Sequence, residues 1–262
     1  MTTPLVASNP RVKEARKLSR RSERSERRLF LAEGWKSLEA ATRAGAVQSV
    51  FATPAAQEQY ADLLAPHEVV LVDDRAMASL SDAVTPQGLV AVCQFLDVPL
   101  ADVLVPPGGR DPLVVIAADV RDPGNAGTLI RTADAAGADA VILAGHSVDP
   151  YNPKTVRASV GSLFHLPVSV VPDAGAAVDA CRGAGLTVLA ADGGGDVDLF
   201  TADPLLAGPT AWLFGNEAWG LPDELAAAAD HRVSIPIAGK AESLNLSTAA
   251  AVCLYASARV RR

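Results

Sequence analysis

Leu213-Phe214-Gly215-Asn216-Glu217-Ala218-Trp219-Gly220-Leu221-Pro222 and, further on, Ile235-Pro236-Ile237-Ala238-Gly239-Lys240-Ala241-Glu242-Ser243-Leu244-Asn245-Leu246-Ser247 share one form. In each, an apolar strand runs into a polar turn rich in Gly, Pro and Asn. Backbone amides and carbonyls are thereby presented at a strand end, where a ligand can lie close. Two such turns near one helix start predict a pocket. Asn245 and Ser247 lie two apart at that start. At about 100° per residue they cannot share a face of a regular helix, so at least one belongs to the entry turn.

Working outward, strands are predicted at Leu113 to Ala118, Ala140 to Leu143, Val168 to Val171, Leu186 to Ala191, Thr210 to Phe214 and Arg232 to Pro236. Helical stretches fall between them: from Asn125, around Pro153 to Val160, from Asp173, after Pro222, and to about Arg259. This alternation is the signature of an α/β domain with a parallel sheet and helices on both faces. A smaller α/β unit precedes it, with a short strand closed by a turn over Leu29 to Gly34, strands at Val47 to Ala52, Val69 to Val72 and Leu89 to Phe95, and a helix over Trp35 to Ala44. Prolines and glycines between residues 98 and 112 mark a linker, placed at 107–111. It separates a first domain, 1–106, from a second, 112–262.

A chain of 262 residues has room for two such domains, each burying roughly 60 to 70% of its unfolded surface. Cys93, Cys181 and Cys253 sit in apolar surroundings at no metal-ligand spacing, and an odd count disfavours a disulfide framework. Buried thiols in a reducing cytosol are expected. No signal peptide or membrane span is legible, so a cytoplasmic protein is expected. His67, His146, His165 and His231 are scattered and predict no metal site.

The formal charge is −7, but Asn9 to Arg28 carries nine Lys or Arg against three Glu. That segment is +6 and leaves −13 for the rest, an asymmetry that suggests a nucleic-acid contact at one end. The competing reading is a solvated basic helix capped by Asn9 and begun by Pro10. The cations singled out for RNA are Arg11, Lys13, Arg16, Lys17, Arg20 and Arg21. Lys154 and Arg157, three apart on a predicted helix, can face one way and join them.

Asn125-Ala126-Gly127-Thr128-Leu129-Ile130-Arg131, the block at 213–222 and the block at 235–247 occur in that order, with Asn152-Pro153-Lys154-Thr155-Val156-Arg157-Ala158-Ser159-Val160-Gly161 between the first two. Together they resemble the three-motif signature of the SpoU (TrmH-like) branch of the SPOUT RNA methyltransferases, over roughly residues 112 to 260. The resemblance implies a deep C-terminal trefoil knot and a homodimer. It implies transfer of a methyl group from S-adenosyl-L-methionine to a ribose 2′-oxygen of structured RNA. The first domain resembles the ribosomal-protein-like RNA-binding domain that many of these enzymes carry. Such an appended domain favours large-subunit ribosomal RNA as substrate, and the basic opening segment is similar to the thiostrepton-resistance methyltransferase group. The same reaction on transfer RNA, or a non-catalytic RNA-binding ribosome-assembly role, are the alternatives. A dinucleotide-dependent oxidoreductase is disfavoured because no glycine fingerprint follows Leu113 to Ala118.

The resemblance assigns Arg131, Asn125, Glu217, Asn245 and Ser247 to the active site, and Gly215, Ile235 and Leu244 to the cofactor. If Asn125 caps its helix, then Ala126, Leu129, Ile130 and Ala133 form the apolar stripe and Arg131 projects on the other side. A guanidinium that stays protonated is a poor base, so Arg131 is expected to stabilise a developing alkoxide or grip a phosphate. Gly193-Gly194-Gly195 lacks phosphate-loop spacing and reads as a turn near the cofactor.

Overall fold

A computed structural model describes residues 3–105 and 110–261. Most of the expected linker, 107–109, lies outside the described residues. The chain divides into two units, one comprising the residues up to Leu96 with Asp149–His165, the other Asp97–Val148 with the residues from Leu166 on.

In the first unit, α1 (Pro10–Lys17) and α2 (Arg21–Arg27) precede β1 (Leu29–Glu33), α3 (Trp35–Arg43) and β2 (Val47–Ala52). There follow α4 (Pro54–Gln59), α5 (Ala61–Leu64), β3 (Val69–Leu71), α6 (Asp74–Leu80) and β4 (Leu89–Gln94). The strands form a four-stranded sheet in the order β1-β4-β2-β3, in which β4 is antiparallel to β1 and β2. One face is covered by Val12, Ala15 and Leu18 from the basic segment and by Ala76, Met77 and Leu80 of α6.

The basic segment is two helices rather than the single solvated helix of the competing reading. Asn9 caps α1 through a bond from the Arg11 amide, and the chain turns at Leu18 to Arg20 before α2. Arg24 explains the break. Its guanidinium is only 2% exposed, donates to the carbonyls of Leu18 and Ser19 at 3.0 and 2.8 Å, and pairs with Asp149 at 2.6 Å. A cation placed so cannot meet a phosphate; it fastens α2 to the turn after α1.

The segment 149–165, expected in the sheet domain, therefore belongs with the first unit. Tyr151 stacks on Phe95 at 3.8 Å, lies 4.7 Å from Phe30, and accepts the Leu96 amide at 2.7 Å, while Phe164 stacks on Phe30. Its helix α8 (Pro153–Ser159) starts at the Asn152 cap.

The second unit holds β5 (Leu113–Ala118), β6 (Ala140–Ala144), β7 (Val168–Val171), β8 (Thr187–Ala191), β9 (Val197–Asp198), β10 (Thr210–Phe214) and β11 (His231–Ser234). Between and after them come α7 (Pro123–Ala136), α9 (Ala174–Gly183), α10 (Asp203–Leu206), α11 (Asp223–Ala228) and α12 (Leu246–Val260). The seven strands are parallel, in the order β7-β6-β5-β10-β8-β11-β9. The central strands β5, β6 and β10 are buried along their whole length, as a sheet covered on both faces requires. Trp212, fully buried on β10, donates its indole N–H to Ser257 Oγ of α12 at 2.9 Å. Val98, Leu100, Val103 and Leu104 pack on this unit's core, so the first domain ends earlier than residue 106. The thiols of Cys93, Cys181 and Cys253 are buried, and burial pushes those of Cys181 and Cys253 up to about 12. No helix of the described residues is long and apolar enough to cross a membrane.

Candidate active site

The turns after β5, β8, β10 and β11 leave the same end of the parallel sheet, the end at which open α/β sheets receive ligands. The turn after β5 ends in a helix cap, but the cap is Asp122, not Asn125. Asp122 accepts the Asn125 amide at 2.8 Å, and Pro123 begins the helix. Asn125 sits inside the first turn with its side chain released from capping.

That side chain joins three elements. Asn125 Nδ2 donates to Glu217 Oε1 at 3.2 Å, and Asn125 Oδ1 accepts from Asn245 Nδ2 at 3.1 Å. The Ser247 hydroxyl lies 3.2 Å from the Asn125 carbonyl and 3.3 Å from Asn125 Oδ1. Glu217 also accepts the amides of Arg121 and Asp122 at 3.2 and 3.0 Å. Asn245 caps α12 by accepting the Ser247 and Thr248 amides, so it belongs to the entry turn while Ser247 is helical. Asn125, Glu217, Asn245 and Ser247 are thus brought into one hydrogen-bonded chain.

Beside this chain lies a cleft of about 250 Å³. Gly215, Ile235 and Leu244 line it, with Val233, Ile237 and Leu246 extending the apolar surface. Gly215 is obligatory: a Cβ there would lie 2.4 Å from the Gly220 carbonyl group. The loop folds back on itself through paired Asn216 and Gly220 backbone bonds of 2.9 and 3.0 Å. Asn216, 7% exposed, fastens it by donating to the Asp119 carbonyl at 2.7 Å and accepting the Ala218 amide at 2.8 Å. Asp192 also lines the cleft; it accepts the Gly194 amide and pairs with Arg232. Burial works to raise the Asp192 carboxyl, but these two partners outweigh it and hold it below its ordinary value.

Arg131 is not part of the chain. It stands exposed on α7, and its side chain makes no hydrogen bond or ion pair among the described residues. Six residues beyond Asn125, it lies about 9 Å further along the helix axis. Of the basic residues, Lys13, Arg16, Arg20 and Arg21 are exposed and without an ion-pair partner among the described residues. Arg11 pairs with Glu68 at 2.6 Å, Lys17 with Glu14 at 2.7 Å and Arg157 with Asp82 at 3.3 Å; Lys154 is exposed. Among the described residues no group of three or more His, Cys, Asp or Glu is placed to hold a metal.

The sequence reading missed Asp122, Asn216 and Asp192. Asp122-Pro123 was a legible signal, because an acceptor side chain followed by proline is the pattern of a helix start. Nothing local marks the roles of Asn216 and Asp192, which depend on Asp119 and Arg232 far away in the chain.

A parallel α/β sheet with a glycine-walled cleft at the carboxyl ends of its strands, and an amide-carboxylate chain beside it, defines a ligand-binding α/β protein. Residues 112–255 match the SpoU rRNA Methylase family and residues 9–91 the MRM3-like substrate binding domain. The chain belongs to the SpoU rRNA methylase family. It is 33% identical over 253 residues to the 23S rRNA (guanosine(2553)-2′-O)-methyltransferase RlmP of Bacillus subtilis, covering 95% of this chain and 96% of that one. It is 40% identical over 199 residues to the 23S rRNA (uridine(2479)-2′-O)-methyltransferase of Streptomyces viridochromogenes, covering 74% and 68%. The AdoMet-bound rRNA methyltransferase of Sinorhizobium meliloti superposes with a TM-score of 0.86 at 36% identity, covering 98% of this chain and 97% of that one.

Proposed function

We propose that this protein transfers a methyl group from S-adenosylmethionine to a ribose 2′-hydroxyl of large-subunit ribosomal RNA. The observation that carries the reading is the hydrogen-bonded chain of Asn125, Glu217, Asn245 and Ser247 against the Gly215-walled cleft. Apolar Ile235, Leu244 and Val233 suit an adenine face, the close backbone at Gly215 suits a ligand that must lie flat, and carboxylates at the rim suit a sulfonium. Bound S-adenosylmethionine supplies the activated methyl group.

The chain's own residues orient the acceptor. In the transfer an O–C bond forms as an S–C bond breaks, and the hydroxyl proton leaves the ribose oxygen. Glu217 accepts three N–H donors, so it holds Asn125 and the turn after β5 in place rather than serving as a free base. Asn125 and Ser247 offer polar atoms to a ribose edge. Arg131 stabilises the developing alkoxide or the adjacent phosphate, and the proton passes to phosphate or water.

Arg131 reaches that place from a second copy of the chain. Its exposure and lack of partners on α7 support a homodimer in which Arg131 completes the partner's site, across a two-fold interface. The first unit selects RNA: Lys13, Arg16, Arg20 and Arg21 meet phosphates directly. Arg11, Lys17, Lys154 and Arg157 can join them, because exposed ion pairs such as those of Arg11, Lys17 and Arg157 are worth little and exchange readily. The return of α12 past β10 to pack on α7 is the part of the chain in which a trefoil knot is inferred, and the protein is proposed to work in the cytoplasm. Mapping ribose methylation in ribosomal and transfer RNA from cells with and without the gene tests the assignment. Loss of one large-subunit methyl supports it; loss from transfer RNA alone overturns the choice of substrate.

A further inference from the structure

Trp219 is an oddity in a polar turn. It is 56% exposed although tryptophan gains more than other side chains from burial. Its neighbours Ala218 and Gly220 line the cleft, whereas its indole stands outside it. The ring does not stand alone. The Arg121 guanidinium carbon lies 5.4 Å from its centroid, and the Arg121 amide donates to Glu217. Trp219 and Arg121 therefore come from the two turns that Glu217 ties together, immediately beside Asn125. Asn216 anchors the Trp219 turn from below through the Asp119 carbonyl. The indole is thus an exposed aromatic ring on a braced turn, with a cation over one of its faces.

We infer that Trp219 and Arg121 form a stacking platform for a nucleobase of the RNA, at or next to the nucleotide being methylated. This rests on the reading of the cleft and its polar chain as a ribose methylation site. A base splayed out of an RNA loop needs a π-face to replace its lost stacking partners, and exposed aromatic side chains and guanidinium planes provide it. The 2′-hydroxyl gives no hold on the base, so the base is free to be gripped elsewhere. Stacking tolerates any base, so the platform fixes geometry, not sequence. Arg121 adds attraction for the flanking phosphate and holds the indole by cation–π contact.

The test uses full-length protein with S-adenosylmethionine and large-subunit ribosomal RNA transcribed in vitro. Trp219→Ala should raise KM for RNA about tenfold or more, with the dissociation constant for S-adenosylmethionine within twofold of the parent. Trp219→Phe should restore KM to within about threefold, whereas Trp219→Leu, apolar but without a π-face, should not. Arg121→Ala should raise KM by a smaller factor. In a Trp35→Phe background, RNA should quench the fluorescence of Trp219, since Trp212 is fully buried. Unchanged KM in Trp219→Ala, rescue by Leu equal to that by Phe, or a loss of cofactor affinity that accounts for the defect would overturn the platform. If the parent protein itself methylates no RNA, the reading of the site fails first.

Discussion

Asn125 and Glu217, ninety-two positions apart, meet with Asn125 Nδ2 donating to Glu217 Oε1 at 3.2 Å. The contact closes the gap between the turn after β5 and the turn after β10, and it leaves Asn125 Oδ1 for Asn245. A carboxylate that accepts every donor aimed at it fixes the amide's orientation, and with it the edge shown to a ribose.

Replacing that carboxylate by an amide reverses part of the pattern. Glu217→Gln keeps one acceptor and sets an N–H against donors. Single-turnover methylation should fall by roughly 100-fold, about 2.7 kcal/mol, while cofactor affinity changes only a few-fold. Rapid-quench kinetics and calorimetry on the same preparation check both halves. A parent-like rate would make Glu217 a surface acid.

Gly215→Ala tests the wall of the cleft. The added methyl meets backbone atoms of Gly220 at 2.4 Å, which cannot move aside as a side chain can. Cofactor affinity should fall by on the order of 100-fold with the fold retained, because remodelling a tight turn costs about 1 to 3 kcal/mol or more. Calorimetry showing unchanged binding would place the cofactor elsewhere.

Arg131→Ala should bind cofactor normally and lose roughly 100-fold in the chemical step. If Arg131 serves the partner's site, mixing Arg131→Ala with Asn125→Ala subunits should recover about a quarter of parental activity, from heterodimers with one intact site. No recovery on mixing would restrict Arg131 to its own subunit, and an active monomer in sedimentation would remove the dimer altogether.

The basic helices separate into two roles. Arg24→Ala leaves Asp149 unpaired at 11% side-chain exposure and should cost about 3 to 5 kcal/mol in urea unfolding. Arg21→Ala, fully at the surface, should cost almost nothing. Changing Lys13, Arg16, Arg20 and Arg21 together to Gln should instead flatten the log-log salt dependence of RNA affinity by about 3. Equal slopes would leave these cations as a solvated face.

How much of this was legible beforehand follows the range of the interactions. The strands from Leu113 to Ala118 and Thr210 to Phe214 declare themselves as apolar runs bounded by turn residues, and the motif order marks Asn125, Glu217, Asn245 and Ser247. Asn125 looks like the cap from the motif alone, whereas the Asp122-Pro123 helix start lies just upstream of it. The place of residues 149–165 was not legible, since it depends on Tyr151 meeting Phe95 and on Asp149 meeting Arg24 across 125 positions. The break between α1 and α2 has the same origin: helix propensity along Pro10 to Arg28 favours one helix, and the buried Arg24 contacts with Leu18 and Ser19 override it.

The most direct measurement incubates the purified protein with methyl-labelled S-adenosylmethionine and unmodified large-subunit ribosomal RNA, then digests the product with alkali. A methyl on a ribose 2′-oxygen blocks cleavage of the adjacent phosphodiester. The account predicts label in a single alkali-resistant dinucleotide, its initial rate of appearance lowered by roughly 100-fold or more with Asn125→Ala and Arg131→Ala. Label recovered only in mononucleotides, as methylation of a base would give, or no transfer to RNA by protein that binds the cofactor, would contradict it.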